Sequence, residues 1–208
     1  MENKDLNSCL MLAVNLDCPI SLKVMFDEPD LKDTGVELDS HITLLYAQGR
    51  ELDRTKIIPD LKEILGEDWY WKLVEKIQDP HEIPVLDVFD LGSFENDSDY
   101  IVLKLKPESI IYEPLQKINK GLRLKYDVSS DFDSFTPHVS LAELRPGMAG
   151  KYLESKELKN FLRDTVISLE DIMISYGLSN EPEDRKQYFL TSFHSVDRYF
   201  RLNHLKSE

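Results

Sequence analysis

The residues best suited to chemistry come as two matching pentads, His41-Ile42-Thr43-Leu44-Leu45 and His138-Val139-Ser140-Leu141-Ala142. Each sets out a histidine, an apolar residue, a hydroxyl residue and then apolar residues again. Side chains alternate faces along an extended strand, so each histidine shares a face with its hydroxyl partner while the apolar residues turn toward a core. Two imidazoles on opposite sides of a phosphorus atom suffice to cleave a phosphodiester that carries a neighbouring ribose hydroxyl. One removes the proton of the attacking hydroxyl, and the other protonates the leaving oxygen. An unperturbed imidazole pKa of about 6.5 lets one ring be neutral and the other protonated near neutral pH. The hydroxyls of Thr43 and Ser140 would bond the non-bridging oxygens, where charge grows in the transition state.

The remaining three of the five histidines lack this pattern. His81 follows Asp79-Pro80 in a polar loop, His194 stands at a strand end and His204 lies in the polar tail, so none is expected to be catalytic. Metal ligation by His41 and His138 is not expected either, because neither has a carboxylate or thiol at ligand spacing. No glycine-rich phosphate loop is present and no cofactor is implied.

Tyr46, Trp69, Trp71, Tyr126 and Phe135 are candidates to stack on a nucleobase, with core packing the competing reading for each. The aromatic stretch from Gly66 to Ile77 reads either as a short helix with its tryptophans inward or as a lid. Arg145, just past the second pentad, and Lys104 are candidates to meet a phosphate, against the default of solvated surface.

These residues need a scaffold, and 208 residues can bury one sizeable core. Ser8 to Asn15 reads as a strand and Asp17-Cys18-Pro19 as the start of a helix ending near Phe26. Asp27 to Asp39 reads as an acidic loop. A helix is expected over Asp53 to Leu65, kinked or restarted at Pro59. Pro84 to Leu91 and Tyr100 to Lys106 read as strands joined by a turn at Asn96 to Asp99, followed by a helix from Ser109 to Leu122 that stops near Gly121. Asp127 to Pro137 is a polar loop, and Pro137 pushes Thr136 toward extended backbone just ahead of His138. Arg145-Pro146-Gly147 ends the second motif strand. A short helix over Ser155 to Arg163 precedes strands over Val166 to Tyr176 and Gln187 to Phe193, joined by an acidic turn over Asn180 to Asp184. Strands not regularly spaced by helices favour an α+β fold with antiparallel sheets over a doubly wound parallel one. Both halves share a strand, helix, motif-strand order, which suggests a diverged internal repeat.

Composition narrows the partners. The formal net charge of −14 disfavours long duplexes, which need a broad positive surface, and leaves room for a small nucleotide held by local contacts. No apolar run approaches the roughly 20 residues that would span a bilayer, and Met1 to Asp5 does not begin a secretory signal. No membrane partner and a cytoplasmic location are therefore expected. Cys9 and Cys18 are too few for a disulfide framework. The oligomeric state is not legible.

The doubled HITL and HVSL segments resemble the His-x-Thr/Ser-hydrophobic signatures of the two-histidine (2H) phosphoesterase superfamily, and Cys9 to Gln48 is similar to its phage-encoded members. The resemblance implies a single bilobal α+β domain over residues 1 to 208, with two antiparallel sheets related by a pseudo-two-fold about a central cleft. It also implies metal-independent cleavage by His41, Thr43, His138 and Ser140. The superfamily spans RNA 2',5'-ligases, 2',3'-cyclic-nucleotide and 2',5'-oligoadenylate phosphodiesterases, and the phage anti-CBASS enzymes that destroy cyclic oligonucleotide signals. The acidic charge and the phage-like segment lead to the expectation of a phosphodiesterase acting on small or cyclic oligonucleotides, in the host cytoplasm if phage-encoded. An RNA-end enzyme acting on 2',3'-cyclic phosphates or 2',5' linkages, and a protein that sequesters nucleotides without turnover, are the alternatives.

Overall fold

The computed structural model describes residues 7–17, 22–67, 83–129, 134–177 and 186–190. The expectations placed on Trp69, Trp71, His81, His194 and His204, and on the Asn180 to Asp184 turn, fall outside those residues. In chain order the elements are β1 (Asn7–Leu16), β2 (Leu31–Val36), β3 (His41–Ala47), α1 (Arg54–Leu65), β4 (Ile83–Pro84), α2 (Val85–Val88), β5 (Phe89–Glu95), β6 (Asp99–Leu105), α3 (Tyr112–Tyr126), β7 (His138–Leu144), α4 (Ala149–Leu153), α5 (Lys156–Asp164), β8 (Val166–Gly177) and β9 (Lys186–Phe189).

The fold is α+β, and among the described residues every strand pairing is antiparallel. Nine strands follow the order β4-β8-β1-β3-β7-β6-β5, with β2 added to β7 and β9 to β8. The family resemblance implies two antiparallel sheets; hydrogen bonding runs through one path, narrowed to a single register pair, Ile42 opposite Val139, between β3 and β7. The flanking pairs β1–β3 and β6–β7 run the length of the motif strands.

The segment Asp27 to Asp39, expected as loop, contains β2. Its residues are half-buried or exposed and carry no apolar alternation, so backbone pairing to β7 at Leu31–Leu144 and Val36–Ala142 is what makes it a strand. Likewise Pro84 to Leu91 is not one strand but β4, the single turn α2 and the start of β5.

Helix ends follow local chemistry. The Asp53 side chain caps α1 by accepting from the Thr55 N–H at 2.9 Å, and Ser155 caps α5 by accepting from the Leu158 N–H at 3.1 Å. Pro59 is accommodated inside α1. Helix α3 does not stop at Gly121 but continues to Tyr126, and Asp127 closes it with a left-handed φ of 50°. Gly121 serves a helix contact instead: a Cβ there would lie 2.8 Å from the Ile64 side chain of α1. The core gathers Leu10, Leu12, Ile42, Leu44, Val139 and Leu141 from the strands with Leu61, Leu115, Ile118 and Leu122 from α1 and α3. Among the described residues no helix is long and apolar enough to cross a membrane.

Candidate active site

Strands β3 and β7 both begin at their histidine and run antiparallel, so they overlap only by their first residues. Carrying the Ile42–Val139 register one residue each way sets His41 opposite Ser140 and Thr43 opposite His138. Burial agrees: Ile42 and Val139 are buried, while His41, Thr43, His138 and Ser140 are half-buried on the other face. Opposed residues on one face have Cβ atoms about 5 Å apart and diagonal ones about 7 to 8 Å. His41 and His138 are the diagonal pair.

Each histidine is oriented by the same local device. The His41 Nδ1–H donates to the carbonyl of Asp39 at 2.8 Å, and the His138 Nδ1–H donates to the carbonyl of Thr136 at 2.7 Å. A carbonyl oxygen only accepts, so Nδ1 carries the proton in both rings and Nε2 is the nitrogen left for proton transfer. The backbone supplies this acceptor by alternation. In extended chain successive carbonyls point to opposite edges, and the residue immediately before each histidine uses its carbonyl in the ladder. Ser40 accepts from Val14 of β1 and Pro137 from Leu105 of β6, both at 2.9 Å. The carbonyl one residue earlier then faces the open edge, where the ring folds back on it.

After the hydroxyl residue both strands bulge at the same place. The β1–β3 register steps from Met11–Thr43 to Leu10–Leu45, skipping Leu44, and the β6–β7 register steps from Val102–Ser140 to Ile101–Ala142, skipping Leu141. A bulge inserts one unpaired residue and re-aims the side chains beyond it. Two consecutive side chains therefore enter the core, Leu44 with Leu45 and Leu141 with Ala142, and the next residue returns to the site face. Those residues are Tyr46 and Glu143.

A cavity of about 250 Å³ lies there, lined by His41, Ser140, Tyr46, Glu143, Tyr100 and Cys9 among others. Thr43 and His138 are not part of its lining. His138 instead sits in a pocket of side chains: the edge of its ring meets Phe94 at 4.8 Å between centroids, and the ammonium of Lys104, its register partner on β6, lies 4.4 Å from the Phe94 centroid. Lys104 is held there by the Ser93 carbonyl at 2.7 Å. Gly92 makes room for it, because a Cβ at that position would lie 3.0 Å from the lysine chain. Burial above all, with smaller electrostatic contributions from His41 and then Lys104, pushes the His138 imidazole below its ordinary 6.5, against the opposing pull of the Thr136 carbonyl.

Glu143 is buried and fully engaged. The Thr34 hydroxyl donates to it, and Lys32 lies 3.7 Å away. Burial alone would raise its pKa, but hydrogen bonds from Thr34, Ser98 and Tyr100 hold it below the usual carboxylate range. It ties β2 to β7 along one wall of the cavity.

Of the aromatic candidates, Tyr46 lines the cavity and is 43 % exposed. Tyr126 lies elsewhere, its hydroxyl donating to the buried Asp60 of α1, which raises the phenol's pKa together with burial, the larger cause. Phe135 packs partly against the core and lines a different hollow beside α3. Arg145 is exposed past the end of β7 and does not line the cavity. Sequence reasoning missed the Asp39 and Thr136 carbonyls, which leave no side-chain signal, and Glu143. The apolar doublets Leu44-Leu45 and Leu141-Ala142 were the available clue, since strict alternation forbids them. Among the described residues no group of three or more His, Cys, Asp or Glu side chains is placed to hold a metal ion. The chain matches no protein-family model and no curated protein.

Proposed function

We propose that this chain is a phosphodiesterase that cleaves small or cyclic oligonucleotides without a metal, using a ribose 2'-hydroxyl as the attacking group. The observation that carries the reading is the matched orientation of His41 and His138, each with Nδ1 on the carbonyl two residues back and each beside a hydroxyl residue. His138 is the general base: burial and the neighbouring Lys104 favour its neutral ring. His41, which lines the cavity, is the general acid. His138 Nε2 takes the 2'-hydroxyl proton as the 2'-oxygen bonds to phosphorus, and the bond from phosphorus to the leaving 5'-oxygen breaks as His41 protonates that oxygen. The products are a 2',3'-cyclic phosphate and a 5'-hydroxyl, with no water consumed. Thr43 and Ser140 donate to the non-bridging oxygens.

The domain is read as two lobes of one unit. About the β3–β7 joint the strand order is mirrored, β8-β1-β3 on one side and β5-β6-β7 on the other. The paired carbonyl acceptors and the paired bulges support a pseudo-two-fold reading. Such a repeat supports membership of the two-histidine phosphoesterases, as does the motif pair itself.

The test is a panel of cyclic di- and trinucleotides beside RNA ending in a 2',3'-cyclic phosphate, with chelator present and products identified by mass. Cleavage of the cyclic oligonucleotides to products without added water is expected. Turnover confined to the RNA ends would favour the alternative substrate, and turnover abolished by chelator would contradict the mechanism.

A further inference from the structure

A hollow of about 770 Å³ runs beside α3, separate from the cavity at His41. Among the described residues its walls hold Arg50, Lys120 and Arg123 against one carboxylate, Asp127, in a chain whose net charge is −14. Local positive potential of this kind is what an anion needs on an otherwise acidic protein. Two of the cations are fixed in place: the Arg123 Nε–H donates to the Val128 carbonyl at 3.3 Å, and the Arg50 guanidinium donates to the Tyr126 carbonyl. Carbonyl partners hold a guanidinium without neutralising it. The ion pair that the described residues form in the hollow, Arg50 with Asp127 at 3.5 Å, involves a carboxylate that is 97 % exposed and so is weak. Lys120 is exposed and makes no ion pair among the described residues.

One hydrogen bond links the wall of the hollow to the segment that precedes His138. Gln116, on its wall, donates to the carbonyl of Phe135, one residue before the Thr136 carbonyl that orients His138. Phe135 lines the same hollow and offers an apolar ring beside the cations. A cationic groove next to an aromatic face is the combination that single-stranded nucleic acid requires.

We propose that this hollow is a second phosphate subsite, taking a phosphodiester of the same oligonucleotide that flanks the one between the histidines. The inference rests on the phosphodiesterase reading for its ligand class. It makes the protein an oligonucleotide enzyme rather than one that accepts single nucleotides.

The test is calorimetric binding of the linear trinucleotide pApApA to the His41→Ala protein, which prevents turnover, compared with the same protein also carrying Lys120→Glu or Lys120→Gln. Lys120 is exposed, so neither change threatens the fold. Lys120→Glu is expected to weaken binding about tenfold, with Lys120→Gln in between. The slope of log affinity against log salt should become shallower by about 0.7, the contribution of one phosphate contact to a single strand. Binding within twofold of the parent with an unchanged slope would overturn the subsite, as would a parent that does not bind pApApA. The two readings fail separately: a Lys120-dependent affinity without cleavage of any panel substrate removes the catalytic reading alone, and cleavage with Lys120-independent affinity removes the subsite alone.

Discussion

The side-chain amide of Asn119 on α3 donates to the carbonyl of Leu44 on β3 at 2.8 Å, and Leu44 is the residue that the β3 bulge leaves out of its ladder. A buried carbonyl outside a ladder costs free energy unless something donates to it. Asn119 does so, and thereby supports the bulge that separates Thr43 from Tyr46. Asn119→Leu keeps the size and removes the donor, so it should lower stability by about 1 to 3 kcal/mol. Chemical denaturation measures this, and a change below a few tenths would show that the bulge does not depend on Asn119.

The contact at Gly121 gives a second prediction. Alanine there gains about 1 kcal/mol of helix propensity, yet its Cβ would meet the Ile64 side chain at 2.8 Å. Overpacking of that kind costs about 1 to 3 kcal/mol, so Gly121→Ala should be destabilising on balance. Pairing it with Ile64→Ala should cost less than the sum of the two single changes, a coupling that a double-mutant cycle reads directly. Simple additivity would show that the helices do not meet there.

The environment of His138 sets a pH dependence with a definite sign. Its folded pKa lies below the ordinary 6.5, so between those two values the unfolded chain binds more protons than the native one. Stability therefore rises with pH through that window and is lost as pH falls through it. In the rate profile, the acid limb of kcat/KM belongs to His138 as base and should fall below 6.5. Lys104→Met removes a neighbouring cation and should move both that limb and the His138 titration followed by NMR to higher pH. A titration that stays put would separate Lys104 from the site.

The pentads made the face that carries the histidines legible because a strand's alternation links residue order to burial, and Ile42 and Val139 are buried as that rule requires. β6 was legible for the same reason. β2 was not, because its residues carry no apolar pattern and only the open edge of β7 recruits it. Gly121 misled because glycine serves as a helix stop and as a close contact alike, and only the position of Ile64 separates the two. The approach of β3 to β7 was a long-range fact that neither strand encodes alone. The histidine-to-carbonyl bonds were hidden for another reason: any residue type supplies a carbonyl.

The central claim is that His41 and His138 act as one unit on one phosphorus atom. Its most direct test is the cleavage rate of a cyclic trinucleotide, with chelator present, by the native protein, His41→Ala, His138→Ala and the double variant. Each single change should cost at least about a hundredfold, and the double variant should lose little more than either single one, because residues that act together are not additive. Single variants within tenfold of the native rate, or losses that multiply in the double variant, would contradict it.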